Sequence, residues 1–136
     1  MTKANCTTKS DPKYLARQRE YRARTGNAST LKYERTKNGK LMRIYRNMLS
    51  RVTGVQAAKY HLYRGKYILP KQEFYDWAVK QDKFHILFKQ WEQSGYERKM
   101  APSVDRVDSS QGYETWNMEW VTHSENSRRG AIARNA

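Results

Sequence analysis

The segment PSVDRVDSSQGYETWNMEWVTHSEN, residues 102–126, decides which fold the sequence predicts. Its first seven residues, 102–108, are rich in valine and alternate in part between apolar and polar side chains, which favours a β-strand. Residues 109–113, SSQGY, have the composition of a loop. Residues 118–122, MEWVT, predict a second strand. Two strands joined by a long loop are therefore expected near the C-terminus.

The residues after the second strand predict a helix. Thr122 and Glu125 are three positions apart, which is the spacing of a capping box at a helix N-terminus. The helix is expected to run from His123 toward the C-terminus. The predicted local order is thus strand, long loop, strand and helix.

The sequence before this segment predicts mainly helices, because helix formers or apolar residues at helical spacing occupy the ranges 12–24, 40–53, 70–81 and 82–93. Residues 38–39, Asn-Gly, are expected to interrupt the pattern, and Asp82 is expected to be an N-cap. Residues 55–67 fit either a helix followed by a turn or a short strand. The aromatic side chains of the helices are expected to form the core.

These patterns predict an α+β protein with a mainly helical N-terminal part and a C-terminal ββα unit. A chain of 136 residues has the length of one domain. Within it we expect a basic helical region over 1–54, a helical scaffold over 55–100 and the ββα unit over 101–136, all folded as one compact unit.

The charge distribution indicates a nucleic-acid partner. The chain has 27 Lys and Arg against 13 Asp and Glu, a formal net charge of +14, which is typical of nucleic-acid-binding proteins. Residues 1–53 have a net charge of +11, whereas residues 101–136 have a net charge of −1. We therefore expect a cationic N-terminal part that binds phosphates and a C-terminal part whose carboxylates are available for catalysis.

Several classes of protein are excluded by the sequence. No apolar run approaches the ~20 residues of a membrane span, and the N-terminal residues lack the apolar stretch of a secretory signal. We therefore expect a protein that is neither secreted nor membrane-bound. The single cysteine, Cys6, has no partner for an intramolecular disulfide and excludes a multi-cysteine zinc site.

The C-terminal segment resembles the HNH, or ββα-metal finger, nucleases, which include phage homing endonucleases, some restriction enzymes and colicin DNases. The resemblance rests on Asp105-Arg106-Val107-Asp108, Gly112-Tyr113, Asn117, Trp120-Val121-Thr122 and Ser124-Glu125-Asn126. The segments GKLMRIYRNMLSRV and EFYDWAVKQDKFHILFKQW also resemble small phage-encoded proteins with this finger. The resemblance implies a free-standing phage homing-type DNA endonuclease that acts in the cytoplasm of an infected bacterial cell.

The resemblance also implies a metal site. Asp105 and Asn126 match the pair of positions that binds the metal in the family. Hydrolysis of a phosphodiester needs a divalent cation to neutralise developing charge, and oxygen ligands suit Mg²⁺. Mg²⁺ is therefore the expected cofactor, with Mn²⁺ as the alternative.

Two further positions have implied catalytic roles. Asn117 matches the Asn that braces the loop and orients the catalytic residue through hydrogen bonds. Arg106 stands where the common pattern has a His that acts as general base, although some family members have Asp-Arg here. Arg stays protonated, so Arg106 is expected to clamp the scissile phosphate instead. Asp108 is expected to cap the loop.

The general base is left open by the sequence. His123 is the candidate nearest to the motif, and His61, Tyr113 and a metal-bound hydroxide are alternatives. His85 lies in an aromatic helix and is expected to be a packing residue with satisfied hydrogen bonds.

Double-stranded DNA is the expected partner. Its phosphates are expected to bind arginines of the basic helices and of the last helix, namely Arg17, Arg19, Arg22, Arg24, Arg43, Arg46, Arg51, Arg128 and Arg129. The alternative is a catalytically degenerate HNH-fold protein that binds nucleic acid without cleaving it.

Overall fold

The computed structural model describes residues 11–26, 28–55 and 57–135, so Cys6 lies outside the described residues. The described part is α+β, with α-helices and a two-stranded antiparallel sheet. Its elements are α1 (Pro12–Thr25), α2 (Ala28–Glu34), α3 (Lys37–Thr53), α4 (Tyr60–Tyr63), α5 (Lys71–Val79), α6 (Asp82–Gln93), β1 (Pro102–Arg106), β2 (Met118–Thr122) and α7 (His123–Asn135). Short 3-10 turns occupy Ala57–Lys59, Arg98–Met100 and Thr115–Asn117.

The two strands form a hairpin whose faces have different partners. Val104 pairs with Trp120, and both are buried on the face that packs against α6. Asp105 pairs with Glu119 on the opposite face, which lies against α7. The predicted order of strand, loop, strand and helix is confirmed, except that β1 ends at Arg106 instead of residue 108.

Aromatic side chains form the core, as their helical spacing predicted. Phe74 of α5 and Phe84 of α6 are fully buried. The ring centroids of Phe84 and Trp120 are 4.7 Å apart, and the Trp77 ring stacks on Trp120 at 5.8 Å. Burial of one large apolar side chain contributes about 1.5–3 kcal/mol. These contacts therefore fix β2 against α5 and α6.

The N-terminus of α6 differs from its prediction. The N-cap is Gln81, and Asp82 is the first helical residue. A carboxylate in the first turn still faces the positive end of the helix dipole, so Asp82 favours the same helix from a different position.

The start of α3 also differs from its prediction. The helix begins at Lys37, and Thr36 is its N-cap, with the Thr36 hydroxyl oxygen accepting a hydrogen bond from the Gly39 N–H at 3.0 Å. The expected interruption at residues 38–39 is therefore wrong. Gly39 lies inside the helix because the backbone of Tyr33 packs where a Cβ would stand. Tertiary contact between α2 and α3, rather than a turn, explains the glycine.

The loop of the hairpin is joined to the helical part by backbone pairing. The Tyr113 N–H donates to the Tyr67 carbonyl at 2.7 Å, and the Leu69 N–H donates to the Tyr113 carbonyl at 3.1 Å. Gly112 permits this approach, because a Cβ at that position would collide with the backbone of Tyr67. The ambiguous range 55–67 thus contains a 3-10 turn, α4 and the start of an extended segment.

The first helix has a different character from the rest. α1 begins after its N-cap Asp11 and ends at Thr25, followed by Gly26 in the left-handed conformation. It has no buried residue, so its arginines lie on a helix that the rest of the described chain does not cover. No helix among the described residues is long and apolar enough to cross a membrane.

Candidate active site

Asn117 braces the loop between the strands. Its side chain is fully buried, its Oδ1 accepts a hydrogen bond from the Asp108 N–H at 2.7 Å, and its Nδ2 donates to the carbonyls of Asp108 and Gly112 at 3.0 and 2.8 Å. One amide thus joins both ends of the loop. The loop therefore has a defined shape, which is the condition for aiming side chains at a substrate.

Asp108 caps the loop from within. Its Oδ1 accepts hydrogen bonds from the Ser110 N–H at 2.9 Å and from the Ser110 hydroxyl at 2.6 Å. These bonds lower the pKa of the Asp108 carboxyl. The Asp108 carboxylate thus caps the loop, as expected from its position in the sequence.

Two carboxylates converge at the centre of the hairpin. Asp105 Oδ2 and Glu119 Oε2 each lie 3.0 Å from the same atom, Nη1 of Arg129. Their strands bring them together because Asp105 and Glu119 are directly paired in the register. Hydrogen bonds that Arg129 donates to the carboxylates of Glu119, Glu125 and Asp105 raise the pKa of Arg129. A single guanidinium therefore neutralises a cluster of carboxylates.

The guanidinium of Arg129 is positioned by its own helix. Glu125 Oε2 lies 2.8 Å from Nε of Arg129 and 2.7 Å from Nη2 of Arg128, so one carboxylate binds both arginines. The hydrogen bonds from Arg128 and then from Arg129 lower the pKa of Glu125 to about 2. Thr122 caps the N-terminus of α7, because its hydroxyl oxygen accepts a hydrogen bond from the Glu125 N–H at 3.1 Å, as the spacing predicted.

Asn126 lies beside the carboxylates on the same face of α7 as Arg129. Its Nδ2 donates to Ser103 Oγ at 2.8 Å and to the Val104 carbonyl at 3.4 Å. Residues 126 and 129 are three apart on the helix and are neighbours on its surface. Asn126 is thus placed against β1 directly before Asp105, and its Oδ1 accepts no hydrogen bond from the described residues.

The side chain of Arg106 lies on the opposite face of the sheet from that of Asp105. Its guanidinium lies 4.2 Å from the centre of the Tyr63 ring, and its Nη1 donates to the carbonyls of Ser109 and Gln111, each at 3.0 Å. Successive side chains of a strand point to opposite faces, so Asp105 and Arg106 diverge. In this structure the Arg106 guanidinium binds the backbone of the loop. The expected phosphate clamp would instead need a guanidinium that is free of such contacts.

His123 lies at the far end of the hairpin from Asp105. Its N–H donates to the Ala101 carbonyl at 2.8 Å, and Asp105 is four residues further along, about 13 Å for an extended strand. Burial lowers the pKa of His123, and the nearby Arg98 and Lys40 lower it further. The imidazole is therefore neutral near pH 7, but the structure does not bring it to the carboxylates.

The other candidate bases have different surroundings. His85 has both ring nitrogens in hydrogen bonds, to Lys37 Nζ and to the Val79 carbonyl, each at 2.8 Å. Tyr113 is buried, which raises its pKa to about 12. Tyr113 thus stays protonated near neutral pH, while His61 lies exposed on α4.

The candidate DNA-binding arginines fall into three groups. Those of α1 are exposed, namely Arg17, Arg19, Arg22 and Arg24. On α3, Arg46 is exposed, Arg43 lies 3.5 Å from Glu34, and Arg51 donates to the Tyr113 hydroxyl at 3.4 Å. Arg128 and Arg129 of α7 are both bound to Glu125. The arginines of α1 are thus the group most available to phosphates.

The side-chain oxygens of Asp105, Glu119 and Asn126 are chemically suited to bind a hard divalent cation. Carboxylate and amide oxygens are the ligands of Mg²⁺, which also keeps several waters. Asp105 and Glu119 already direct oxygens at one cationic atom, and Asn126 is adjacent. Among the residues that the structure describes, no group of three His, Cys, Asp or Glu side chains is arranged to hold a metal ion. A site here would therefore combine few protein ligands with water.

Glu119 and the central position of Arg129 are the features that sequence reasoning missed. Glu119 stands in a predicted strand between buried Met118 and Trp120, which placed it on the opposite face. Its pairing with Asp105 depends on the strand register, for which the sequence offered no direct signal.

No known protein family, curated protein or solved structure matches the chain.

Proposed function

We propose that this chain is a metal-dependent DNA endonuclease whose ββα unit, residues 101–136, is an HNH-type finger. The observation that supports it most is the convergence of Asp105 and Glu119 on a single cationic position beside Asn126. Asp105 on the hairpin and Asn126 on the following helix match the two metal-binding positions of the nucleases that the segment resembles. The buried Asn117 that braces the loop agrees with the same motif.

Under this proposal Asp105 and Asn126 hold the cation, and Glu119 adds a second carboxylate. When bound, a divalent cation acts as a Lewis acid that stabilises charge on the phosphate and the leaving oxygen. Arg129 releases the carboxylates in that state and turns its guanidinium toward the substrate phosphate, as a guanidinium binds phosphate oxygens in a forked geometry. Arg106 and Asn117 keep the loop in shape while the substrate is bound.

The cationic helices supply the affinity for DNA in this proposal. α1 has five basic side chains and one acidic one, and none of its residues is buried. Phosphate contacts from such a helix fix the position of a duplex without reading its sequence. Binding by α1 would thus present the duplex to a site that itself has little net charge.

Cleavage of a supercoiled plasmid tests the proposal. Wild type should nick or linearise the plasmid with Mg²⁺ or Mn²⁺, and chelator should stop the reaction. Asp105→Ala should lower the rate by about 100-fold or more, since a bound cation supplies several kcal/mol and each 1.4 kcal/mol is about tenfold. Asp76→Ala is the matched control, because Asp76 is an exposed carboxylate of α5 that accepts a hydrogen bond from the Gln72 amide, away from the hairpin.

Full metal-dependent cleavage by Asp105→Ala would contradict the site. The second candidate function, a degenerate finger that only binds nucleic acid, is favoured by Arg106 at the position of the usual base. In that case the wild type would retard DNA without cutting it. The logarithm of its affinity should fall steeply with salt, by about 0.9 for each phosphate neutralised.

A further inference from the structure

Two apolar side chains are exposed at the end of the hairpin. Trp116 is 62% exposed and Val107 is 65% exposed. Val107 directly follows β1, and Trp116 lies in the 3-10 turn that precedes β2. Single exposed apolar residues are common. Here the backbone of Val107 pairs with Asn117, the residue after the mostly exposed Trp116, so two exposed apolar residues lie on neighbouring backbone segments, as contact surfaces often show.

The backbone that presents this pair is firmly held. The Val107 N–H donates to the Asn117 carbonyl at 2.9 Å, which extends the hairpin by one pair beyond β1. Asn117, the residue after Trp116, is fully buried and makes three side-chain hydrogen bonds within the loop. Trp116 therefore projects from an ordered support, so little conformational entropy would be lost on binding.

We propose that Trp116 and Val107 form an apolar wedge that enters a groove of double-stranded DNA and partly unstacks one base step. This inference rests on the proposed function, and it adds a contact to the bases. Apolar side chains are used in this way by proteins that kink a duplex from the minor groove. An aromatic ring stacks on any base, so the contact does not require a particular sequence.

The position of the wedge relative to the carboxylates fits one bound duplex. Trp116 is three residues before Glu119, and the turn between them keeps the two closer than the roughly 10 Å that a fully extended chain would span. Successive bases of one strand are about 3.4 Å apart, so the wedge would act within about three base steps of the phosphate at Asp105. Unstacking there would bend the backbone near the bond to be cut.

The net charge of the whole chain favours DNA over a second copy of the protein as the occupant of this surface. The chain has a formal net charge of +14, so a second copy is repelled and a polyanion is attracted. Within the loop itself, Arg106 is held by the carbonyls of Ser109 and Gln111, and the Asp108 carboxylate is bound by Ser110. The two charged side chains that flank Val107 are thus engaged within the loop itself.

Plasmid unwinding tests the wedge without cleavage. Relaxed plasmid is incubated in chelator with wild type, Trp116→Ala, Trp116→Phe or the control Ile86→Ser, treated with a metal-independent topoisomerase, and its topoisomers are resolved on a gel. Ile86 is an equally suitable exposed apolar side chain on α6. At equal occupancy of DNA, wild type, Trp116→Phe and Ile86→Ser should shift the topoisomer distribution, and Trp116→Ala should not. Trp116→Ala should also weaken binding about 5- to 150-fold, the range for loss of one aromatic–base stack.

The possible failures of the wedge and of the nuclease are distinguishable. If wild type cuts and binds DNA but Trp116→Ala shifts topoisomers as wild type does, the wedge is overturned and the nuclease stands. If wild type neither binds nor cuts DNA, both proposals fail. If sedimentation without DNA shows a wild-type dimer that Trp116→Ala dissociates, a second copy covers the surface and the wedge is overturned. Circular dichroism of each variant is the control that tests whether the substitution leaves the fold intact.

Discussion

Asn117 uses both ends of its amide inside the loop that joins the strands. An Asp108 N–H and two carbonyls depend on it, and water cannot replace it freely because the side chain is fully buried. A buried polar group left without its partner destabilises a fold more than the lost bond alone would. The residue is therefore structural as well as part of the candidate site.

We expect Asn117→Ala to lower the free energy of unfolding by about 2–3 kcal/mol, since three hydrogen bonds are lost and their backbone partners are left unsatisfied. Urea unfolding followed by circular dichroism measures the change. Ser109→Ala, in the same loop but exposed, should change the midpoint little. Equal stability of Asn117→Ala and wild type would contradict the bracing role.

Arg129 and Arg128 form a matched pair for the proposed cation site. Arg129 contacts Asp105 and Glu119 as well as Glu125, whereas Arg128 contacts Glu125. Without Arg129, no guanidinium of the described residues is ion-paired with the two strand carboxylates and competes there with a divalent cation. We expect Arg129→Ala to bind Mn²⁺ roughly fivefold more tightly in the absence of DNA, as loss of about 1 kcal/mol of competition implies.

Electron paramagnetic resonance of free Mn²⁺ during titration gives the affinity. Arg128→Ala should bind Mn²⁺ as wild type does, because its partner Glu125 is not one of the strand carboxylates. Weaker Mn²⁺ binding by Arg129→Ala would show that Arg129 organises the carboxylates instead of competing for them.

At the scale of secondary-structure elements, the packing of α2 against α3 shows a conflict between local preference and tertiary contact. Glycine in a helix interior is about 1 kcal/mol less favourable than alanine, so propensity alone predicts that Gly39→Ala stabilises α3. The backbone of Tyr33 occupies the space that the new Cβ would need. Because that neighbour is backbone, it cannot turn aside as a flexible side chain would.

Gly39→Ala is therefore expected to lower the free energy of unfolding by about 1–3 kcal/mol, as overpacking does in a well-packed contact. Asn38→Ala, one residue earlier and exposed, should leave stability unchanged or slightly raised. Thermal unfolding compares the two variants. A higher Tm for Gly39→Ala than for wild type would show that α2 moves away at little cost.

The elements themselves were largely predictable from the sequence. The helices around Ile44, Phe74 and Phe84 follow apolar spacing, and the capping pair Thr122 and Glu125 marks the start of α7. α2 was not predicted, because the exposed residues of this short helix give it no clear apolar face. The errors at Gly39 and Asp82 are errors of boundary, which depend on which group caps or packs against a helix end.

At the scale of the whole molecule, partial burial and nearby positive charge both oppose protonation of His123. Burial together with Arg98 and Lys40 lowers the pKa of His123 from 6.5 in the folded state. The unfolded chain then binds the proton more tightly than the folded protein does. Stability contributed by neutral His123 is present above pH 6.5 and is lost as the pH falls through the lowered folded pKa.

We expect the urea concentration at the unfolding midpoint of wild type to decrease when the pH is lowered from 7.5 to 5. His123→Gln should make this decrease smaller, because a neutral amide does not titrate. His61→Gln, a substitution at an exposed histidine of α4, is the matched control and should keep the wild-type dependence. An unchanged pH dependence in His123→Gln would mean that other groups determine it.

Sequence alone determined the features that depend on neighbours in the chain. These are the excess of basic residues toward the N-terminus, the helices with apolar stripes, and the order strand, loop, strand and helix. Each follows from local composition or from periodicity, which the chain displays without folding. The roles expected of Asp105, Asn117 and Asn126 were instead implied by the resemblance of the C-terminal segment to the HNH nucleases.

Only the tertiary structure decided which side chains meet. The strand register pairs Asp105 with Glu119, the packing of α7 brings Arg129 between them, and the same packing leaves His123 about 13 Å away along the strand. A shift of one residue in the register would turn the side chain of Asp105 or of Glu119 to the other face of the sheet. Such contacts join residues far apart in the chain, and the packing of the whole core selects them, so no local pattern could have specified the candidate site.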